Sequence, residues 1–283
     1  MPPANILPKG KHSLQIGIIG IPYDMNSSFM KGSAEAPPLI RKALFSGASN
    51  LWAEKGIDLG ADDVMSDMGD LVFNATEDPT PIIESSITRM LDDMIIPIAL
   101  GGDHAVTYPI IKAFRNKYEK LDLLLFDAHP DLYDEFHGNR FSHAATFARI
   151  MEERLVDRLV QVGIRSMNGH QRIQAEKFGV EVIDMLNWRH EPQLTFDSPV
   201  YISFDMDVLD PAYAPGVSHR EPGGLSSRQL ISIIHAVEAP LVGADIVEYN
   251  PRNDLSEITS VVGAKILKEL AAQIIITQGR NRF

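Results

Sequence analysis

Short, nearly unbroken apolar runs punctuate the chain at Leu14–Ile19, Met94–Leu100, Leu121–Phe126, Leu159–Val162, Val180–Ile183, Val200–Phe204 and Val242–Val247. Each is bounded by Gly, Pro or Asp, and a weaker run at Asp63–Val64 precedes "SDMGD". The apolar positions are continuous rather than alternating, which predicts strands buried on both faces. Between them, apolar residues recur every three or four positions, predicting helices over Pro37–Leu44, Pro81–Leu91, Ser142–Glu153, Ser226–Glu238 and Glu257–Ile275. The first of these opens on prolines, which a helix tolerates in its first turn. Strand and helix alternate throughout, so the pattern predicts one doubly wound, mostly parallel sheet covered by helices. No linker, repeat or low-complexity stretch divides the 283 residues, and a single domain spanning 1–283 is expected.

Composition narrows the partners. With 45% hydrophobic and 23% charged residues, the chain has the balance of an ordinary folded protein rather than a disordered one. A formal net charge of −12 disfavours nucleic acid and anionic membranes and leans toward a cationic or metal-bound ligand. The absence of cysteine excludes disulfides, zinc–thiolate sites, iron–sulfur clusters and cysteine nucleophiles. Lys9 and Lys11 followed by "LQIGIIGIPY" imitate a signal peptide, but Gly17, Gly20 and Pro22 break the apolar run and Asp24 follows it. A first strand is the better reading. No stretch approaches the ~20 apolar residues of a membrane span, and a cytoplasmic location is the default expectation.

Three of the predicted strands end in acid. "ALGGDH" places His104 after two glycines, "LLLFDAHPD" ends in Asp127, His129 and Asp131, and "VYISFDMD" ends in Asp205 and Asp207. If the strands stay extended, alternate residues share a face, so Asp127, His129 and Asp131 would point one way and Asp205 and Asp207 likewise. Taken singly, each Asp reads as a turn former or helix cap, and each His as a hydrogen-bonded core residue. Together they do not. Four carboxylates at one sheet edge repel severely unless protons or cations compensate, and neither acidic segment contains a basic residue. Two divalent cations would balance them, with two neutral imidazoles completing the coordination. Carboxylate and imidazole donors without sulfur favour Mn2+, with iron, cobalt, nickel and zinc as alternatives. Ions paired at about 3.5 Å suit the activation of water for attack on an electrophile.

These segments resemble the metal motifs of the ureohydrolases, the arginase and agmatinase family. "GGDH" at Gly101–His104, "DAHPD" at Asp127–Asp131 and "SFDMDVLDPAYAPG" at Ser203–Gly216 occur in that family's order, and "GADIVEYNP" at Gly243–Pro251 is similar to its fourth signature. "GNRFSHAATFARIMEE" and "APGVSHREPGGLS" resemble the plant-type arginase/agmatinase branch. The resemblance covers nearly the whole chain. It implies a three-layer αβα fold with a central sheet of about eight strands, two Mn2+ per chain, hydrolysis of a small cationic guanidino substrate to urea, and a homotrimer or homohexamer. It further implies that His104, Asp127, Asp131 and Asp205 hold one metal and Asp127, His129, Asp205 and Asp207 the other, with Asp127 and Asp205 as bridges. Asp131 would also relay the proton of the attacking water, and Glu248 would pair with the guanidinium.

Two histidines compete for the proton shuttle. His137 precedes a glycine as in animal arginases, but the plant-type pattern puts the catalytic histidine in Ser–His–Ala, which is His143 here. His143 is expected to open a helix, with an imidazole free to swing between solvent and site, and His137 to be a solvated loop residue. The substrate's tail would be read by Asn139, Arg140, Ser142 and His219. "RSMNGHQR", from Arg165, lacks the acid that animal arginases use for the α-amino group, so agmatine is the expected substrate. Arginine and then guanidinobutyrate are the alternatives. A non-catalytic metal-binding relative is the remaining rival, disfavoured because no ligand and no acid–base group is missing.

Overall fold

The computed structural model describes residues 14–74 and 78–280; Lys9 and Lys11 of the signal-like segment lie outside them. Eight strands form one sheet: β1 (Gln15–Ile21), β2 (Met65–Asp70), β3 (Ile95–Gly101), β4 (Asp122–Phe126), β5 (Arg158–Ile164), β6 (Glu181–Asp184), β7 (Val200–Asp205) and β8 (Leu241–Val247). Their order is β2-β1-β3-β8-β7-β4-β5-β6, and every neighbouring pair is parallel. Helices α1 (Ala36–Leu44), α6 (Ser227–Ala236) and α7 (Ile258–Arg280) pack on one face. The other face carries α2 (Pro79–Asp92), α3 (Thr107–Lys117), α4 (Thr146–Glu152) and α5 (Gly169–Phe178). This is a three-layer αβα architecture.

Strand β4 shows how the apolar runs build both layers. Leu124 and Phe126 enter the core beneath α1, α6 and α7, while Leu123 and Leu125 enter the core beneath α2, α3 and α4. Each such side chain gains about 1.5–3 kcal/mol on burial, so the strand can neither rotate nor slip, and its carboxyl end is fixed in space. Four adjacent central strands, β3, β8, β7 and β4, are pinned in this way, and all deliver their carboxyl ends to one edge. Open parallel sheets place their chemistry at that edge.

Two elements depart from the apolar pattern for physical reasons. The second strand is "MSDMGD" itself rather than the Asp63–Val64 run before it. It lies at the sheet's margin, where one side needs no partner strand, and Asp67 and Asp70 bind the Arg41 guanidinium of α1. Helix α5 buries little apolar surface. Its ends define it instead: Asn168 and Gln171 form a capping box, and Gly179 closes it in the left-handed conformation at φ 66°.

Candidate metal and active site

The turn after β3 begins with Gly102, where any Cβ would collide with the carbonyl of Tyr23; the Asp103 N–H donates to that carbonyl at 3.0 Å. His104 follows, fully buried. Its Nε2 lies 3.0 Å from Ser203 Oγ, whose hydroxyl donates to Asp245 Oδ1 at 2.7 Å. Thr107 Oγ1 and Tyr201 OH donate to Asp245 Oδ2, both at 2.9 Å. With its own hydrogen given to Asp245, Ser203 accepts from His104 Nε2–H. In the neutral ring, the form that binds a metal, this leaves the lone pair of His104 on Nδ1.

That Nδ1 lies 3.2 Å from each of Asp127 Oδ2, Asp131 Oδ2 and Asp205 Oδ2. Yet His104 Nδ1 and Asp127 Oδ2 are buried with no hydrogen-bond partner. A nitrogen lone pair facing three carboxylate oxygens is repulsive, and a divalent cation among them turns each repulsion into a bond. Nearby, His129 Nδ1 lies 3.0 Å from Asp207 Oδ2 and 3.6 Å from Asp127 Oδ1. His104, Asp127 and Asp131 thus form one group able to hold a metal ion, and Asp127, His129 and Asp207 a second, with Asp127 common to both. Asp205 faces the first.

The route by which these groups converge differs from the extended alternation expected. Strand β4 stops at Phe126, and Asp131 adopts φ 46°. Strand β7 ends at Asp205, whose carboxylate accepts from Asp207 N–H at 2.7 Å as the chain enters a short 3₁₀ turn over Met206–Val208. Glu248, after β8, also has positive φ, 63°. A left-handed backbone costs an L-residue about 1–2 kcal/mol, and glycine would relieve it. Asp131 and Glu248 are the buried acids among the described positive-φ residues, and both face the cluster's edge of the sheet. Gly163, at φ 101°, leaves β5 open beside the Asp127 carbonyl, which a side chain there would crowd.

The electrostatics agree with cation binding. Burial, with Asp207 and Asp131 close by, pushes Asp127 up to about 6. Burial, Asp207 and Asp127 raise Asp205 well above the usual carboxylate range. Burial works against charge on the two imidazoles, yet the surrounding carboxylates lift His104 far above its ordinary value and His129 to about 12. The cluster draws in protons because it holds more negative charge than burial permits. Asp207 is the exception: burial opposes its charge, but His129, the Ala128 N–H and Arg165 hold it well below the usual range.

Above the cluster, His143 Nδ1 lies 2.7 Å from Glu248 Oε1, which also accepts from the His104 N–H at 2.9 Å. His143 is 6% exposed and sits in a 3₁₀ turn before α4. The freely swinging imidazole expected at a helix start is therefore corrected: His143 is held at both ring nitrogens. Its Nε2 meets Ser28 Oγ at 2.7 Å and the Ser28 N–H at 3.1 Å. Burial opposes protonation of His143, but Glu248, Asp131 and Asp103 push it up to about 9. The Ser28 N–H argues the other way, since it needs a lone pair on Nε2, and divalent cations at the cluster would relax the upward push. The hydrogen-bond geometry identifies the neutral, Nδ1-protonated ring.

The segment supplying Ser28 crosses the site as a strap between β1 and α1. Asn26 N–H donates to Asp103 Oδ2 at 2.8 Å, Asn26 Oδ1 accepts from Asn139 Nδ2 at 3.1 Å, and Ser218 Oγ donates to the Met30 carbonyl at 2.9 Å. His219 stands at the mouth, its ring 5.6 Å from that of His129 and 5.5 Å from those of His143 and Phe29. Ser142 is buried and caps the His143 turn through Ala144 N–H at 3.4 Å. Arg140 does not follow expectation. Its guanidinium is engaged by Asp134 at 3.4 Å and Glu152 at 3.0 Å, on the surface. His137 is exposed at φ 52° beside Gly138, in a tight turn closed by Phe136 and Asn139.

Three supports escaped the sequence reading. Arg165 donates to the carbonyls of Asp207 (2.6 Å), Val208 (3.2 Å), Leu209 (3.3 Å) and Glu221 (2.6 Å), clamping the turn that carries the acids. Ser203 and Asp245 orient His104, and polar residues inside otherwise apolar strands were the available signal. The strap gave none.

A parallel αβα sheet with carboxylates and imidazoles gathered at its carboxyl edge is the frame of a metal-dependent hydrolase. The chain belongs to the Arginase family, whose model matches residues 14–272. It is 43% identical over 274 residues to "Arginase 1, mitochondrial" of Arabidopsis thaliana, covering 91% of this chain and 80% of that protein. It is 33% identical over 281 residues to an agmatinase of Neisseria meningitidis, covering 95% of this chain and 89% of that one. The solved arginase of Medicago truncatula superposes with a TM-score of 0.86 at 40% identity, covering 94% of this chain and 89% of that one. The protein is thus a ureohydrolase, a hydrolase of guanidino C–N bonds. Its relatives lend no support to agmatine over arginine, contrary to the expectation drawn from "RSMNGHQR".

Proposed function

We propose that this ureohydrolase acts on arginine, releasing urea and ornithine. The observation carrying the reading is its 43% and 40% identity to plant proteins named arginases, against 33% to a protein named agmatinase, over nearly the same stretch of chain. The proposed metal is Mn2+, two per chain, with His104, Asp127, Asp131 and Asp205 on one ion and Asp127, His129, Asp205 and Asp207 on the other. Bound there, divalent ions supply water activated for attack on the guanidino carbon.

The remaining steps fall to the chain's own groups. Glu248 commits Oε1 to His104 N–H and His143, so Oε2 is the oxygen offered to the guanidinium, a charge-assisted contact. Asp131 accepts the proton released by the attacking water and passes it to the departing amine. His143 exchanges the remaining proton with solvent. Asn139, Ser142 and His219 border the path of the substrate's tail, and with Arg140 bound by Asp134 and Glu152, His219 and Asn139 take over the reading of its carboxylate. Urea release from arginine, agmatine and guanidinobutyrate after Mn2+ loading tests the reading. Arginine should give the highest kcat/KM. A higher value for agmatine would overturn the substrate assignment, and silence with all three would place the substrate outside this set.

A further inference from the structure

We propose that the hydroxyl of Ser28 is the relay through which His143 exchanges protons with solvent. The inference rests on the ureohydrolase reading of His143. His143 is only 6% exposed, so its ring has little direct contact with bulk water. One nitrogen, Nδ1, is occupied by Glu248, which leaves Nε2 as the outlet. Nε2 has two partners, both from Ser28: the backbone N–H at 3.1 Å and Oγ at 2.7 Å.

These partners are not equivalent. A backbone N–H only donates, so it can serve the bare nitrogen of the neutral ring and nothing else. A hydroxyl both donates and accepts, so it can serve Nε2 before and after protonation by rotating its hydrogen. Ser28 is itself half-buried, and the next residue, the exposed Phe29, lies with its ring 5.5 Å from that of the half-buried His219 at the mouth. It therefore joins the buried ring to the solvent side. The proton balance is simple. Ser28 Oγ hands its hydrogen to His143 Nε2 while taking one from a buffer acid outside, leaving the imidazolium and the acid's conjugate base. The charged groups facing the ring are Glu248, Asp131 and Asp103, with His219 across from it. None of them touches Nε2 in the hydrogen bonds described. The strap's other ties, to Asp103, Asn139 and Ser218, hold Ser28 in register with the ring.

The test uses the metal-loaded enzyme and the variants Ser28→Ala and Ser28→Thr. With Mn2+ and arginine in dilute buffer, Ser28→Ala should lower kcat about 10-fold, short of the roughly 10²–10⁴-fold expected of a positioned acid–base group itself. KM should hold steady, added imidazole should restore the rate, and Ser28→Thr should behave as wild type. Unchanged kcat in Ser28→Ala, or a loss that imidazole does not rescue and threonine shares, would overturn the relay. A second readout is independent of substrate. In zinc-loaded protein labelled with 15N-histidine, the His143 ring nitrogens should exchange protons with solvent more slowly in Ser28→Ala, and normally in Ser28→Thr. If wild type releases no urea from any guanidino compound, the functional reading fails. The exchange rates then still decide the relay, and equal rates in wild type and Ser28→Ala would overturn it.

Discussion

The buried acidic cluster and the mouth above it are built by opposite means. The cluster hangs on the ends of three central strands, β3, β4 and β7, whose apolar side chains fix them from both faces, and its groups arrive within a few residues of each strand end. The mouth is assembled from loops far apart in the chain. Ser28 meets His143 across 115 positions, Asn26 meets Asn139 across 113, and Ser218 meets Met30 across 188. Chemistry that must be rigid sits on the sheet, and the parts that admit and read a substrate sit on loops.

The largest effect should come from the cluster. Asp205→Ala removes a carboxylate facing His104 and should abolish most metal binding and lower kcat by about 10³-fold or more, within the range of severe active-site losses. Elemental analysis and urea release check both halves. A variant that keeps full metal and activity would show that the cluster is merely an acidic patch.

His143 lies between the two regions. If His143 moves a proton and binds no ion, as proposed, His143→Asn should lower kcat by about 10²–10⁴-fold while metal content holds. His137→Asn should change the rate less than twofold on the same scale, because His137 only shapes a surface turn. The reverse ranking would move the shuttle to the loop.

Behind the cluster, Ser203→Ala leaves the His104 tautomer unfixed and Asp245 without one donor. Groups that orient a ligand in this way typically govern 10–100-fold in metal affinity, so a loss of about that size is expected in a competition titration with a chelator. An unchanged affinity would assign the Ser203–Asp245 pair to folding alone.

The smallest effect should be at Arg140. Its guanidinium already serves Asp134 and Glu152, so Arg140→Ala should shift the arginine-to-agmatine ratio of kcat/KM by less than about threefold, the scale of a surface ion pair. A larger shift would mean that Arg140 leaves its partners to meet the substrate's carboxylate.

The same contrast explains what could be read from the sequence. Seven apolar runs foretold seven strands, and "DAHPD" and "FDMD" marked the candidate ligands because their residue types are wrong for plain strand ends. The reason offered for their convergence was incomplete. Extended alternation gives way to a left-handed Asp131 and a 3₁₀ turn at Asp207, the latter packed against Gly163 of β5 and clamped by Arg165 just after that strand. Strand β2 was misplaced because a marginal strand needs no apolar run. Helix α5 was missed because its caps, rather than its packing, define it. The strap's role was not legible, since "NSSF" becomes chemical only when folding brings His143 to it. Arg140 was assigned to the tail by charge alone, without knowledge of its two acidic neighbours.

The central claim is that the strand-end cluster is a two-cation site. Anomalous diffraction from crystals of the Mn2+-loaded protein tests it most directly. Two peaks are expected about 3.5 Å apart, one beside His104 and Asp131, the other beside His129 and Asp207, with Asp127 and Asp205 between them. A single peak in active protein, or peaks away from these residues, would contradict it.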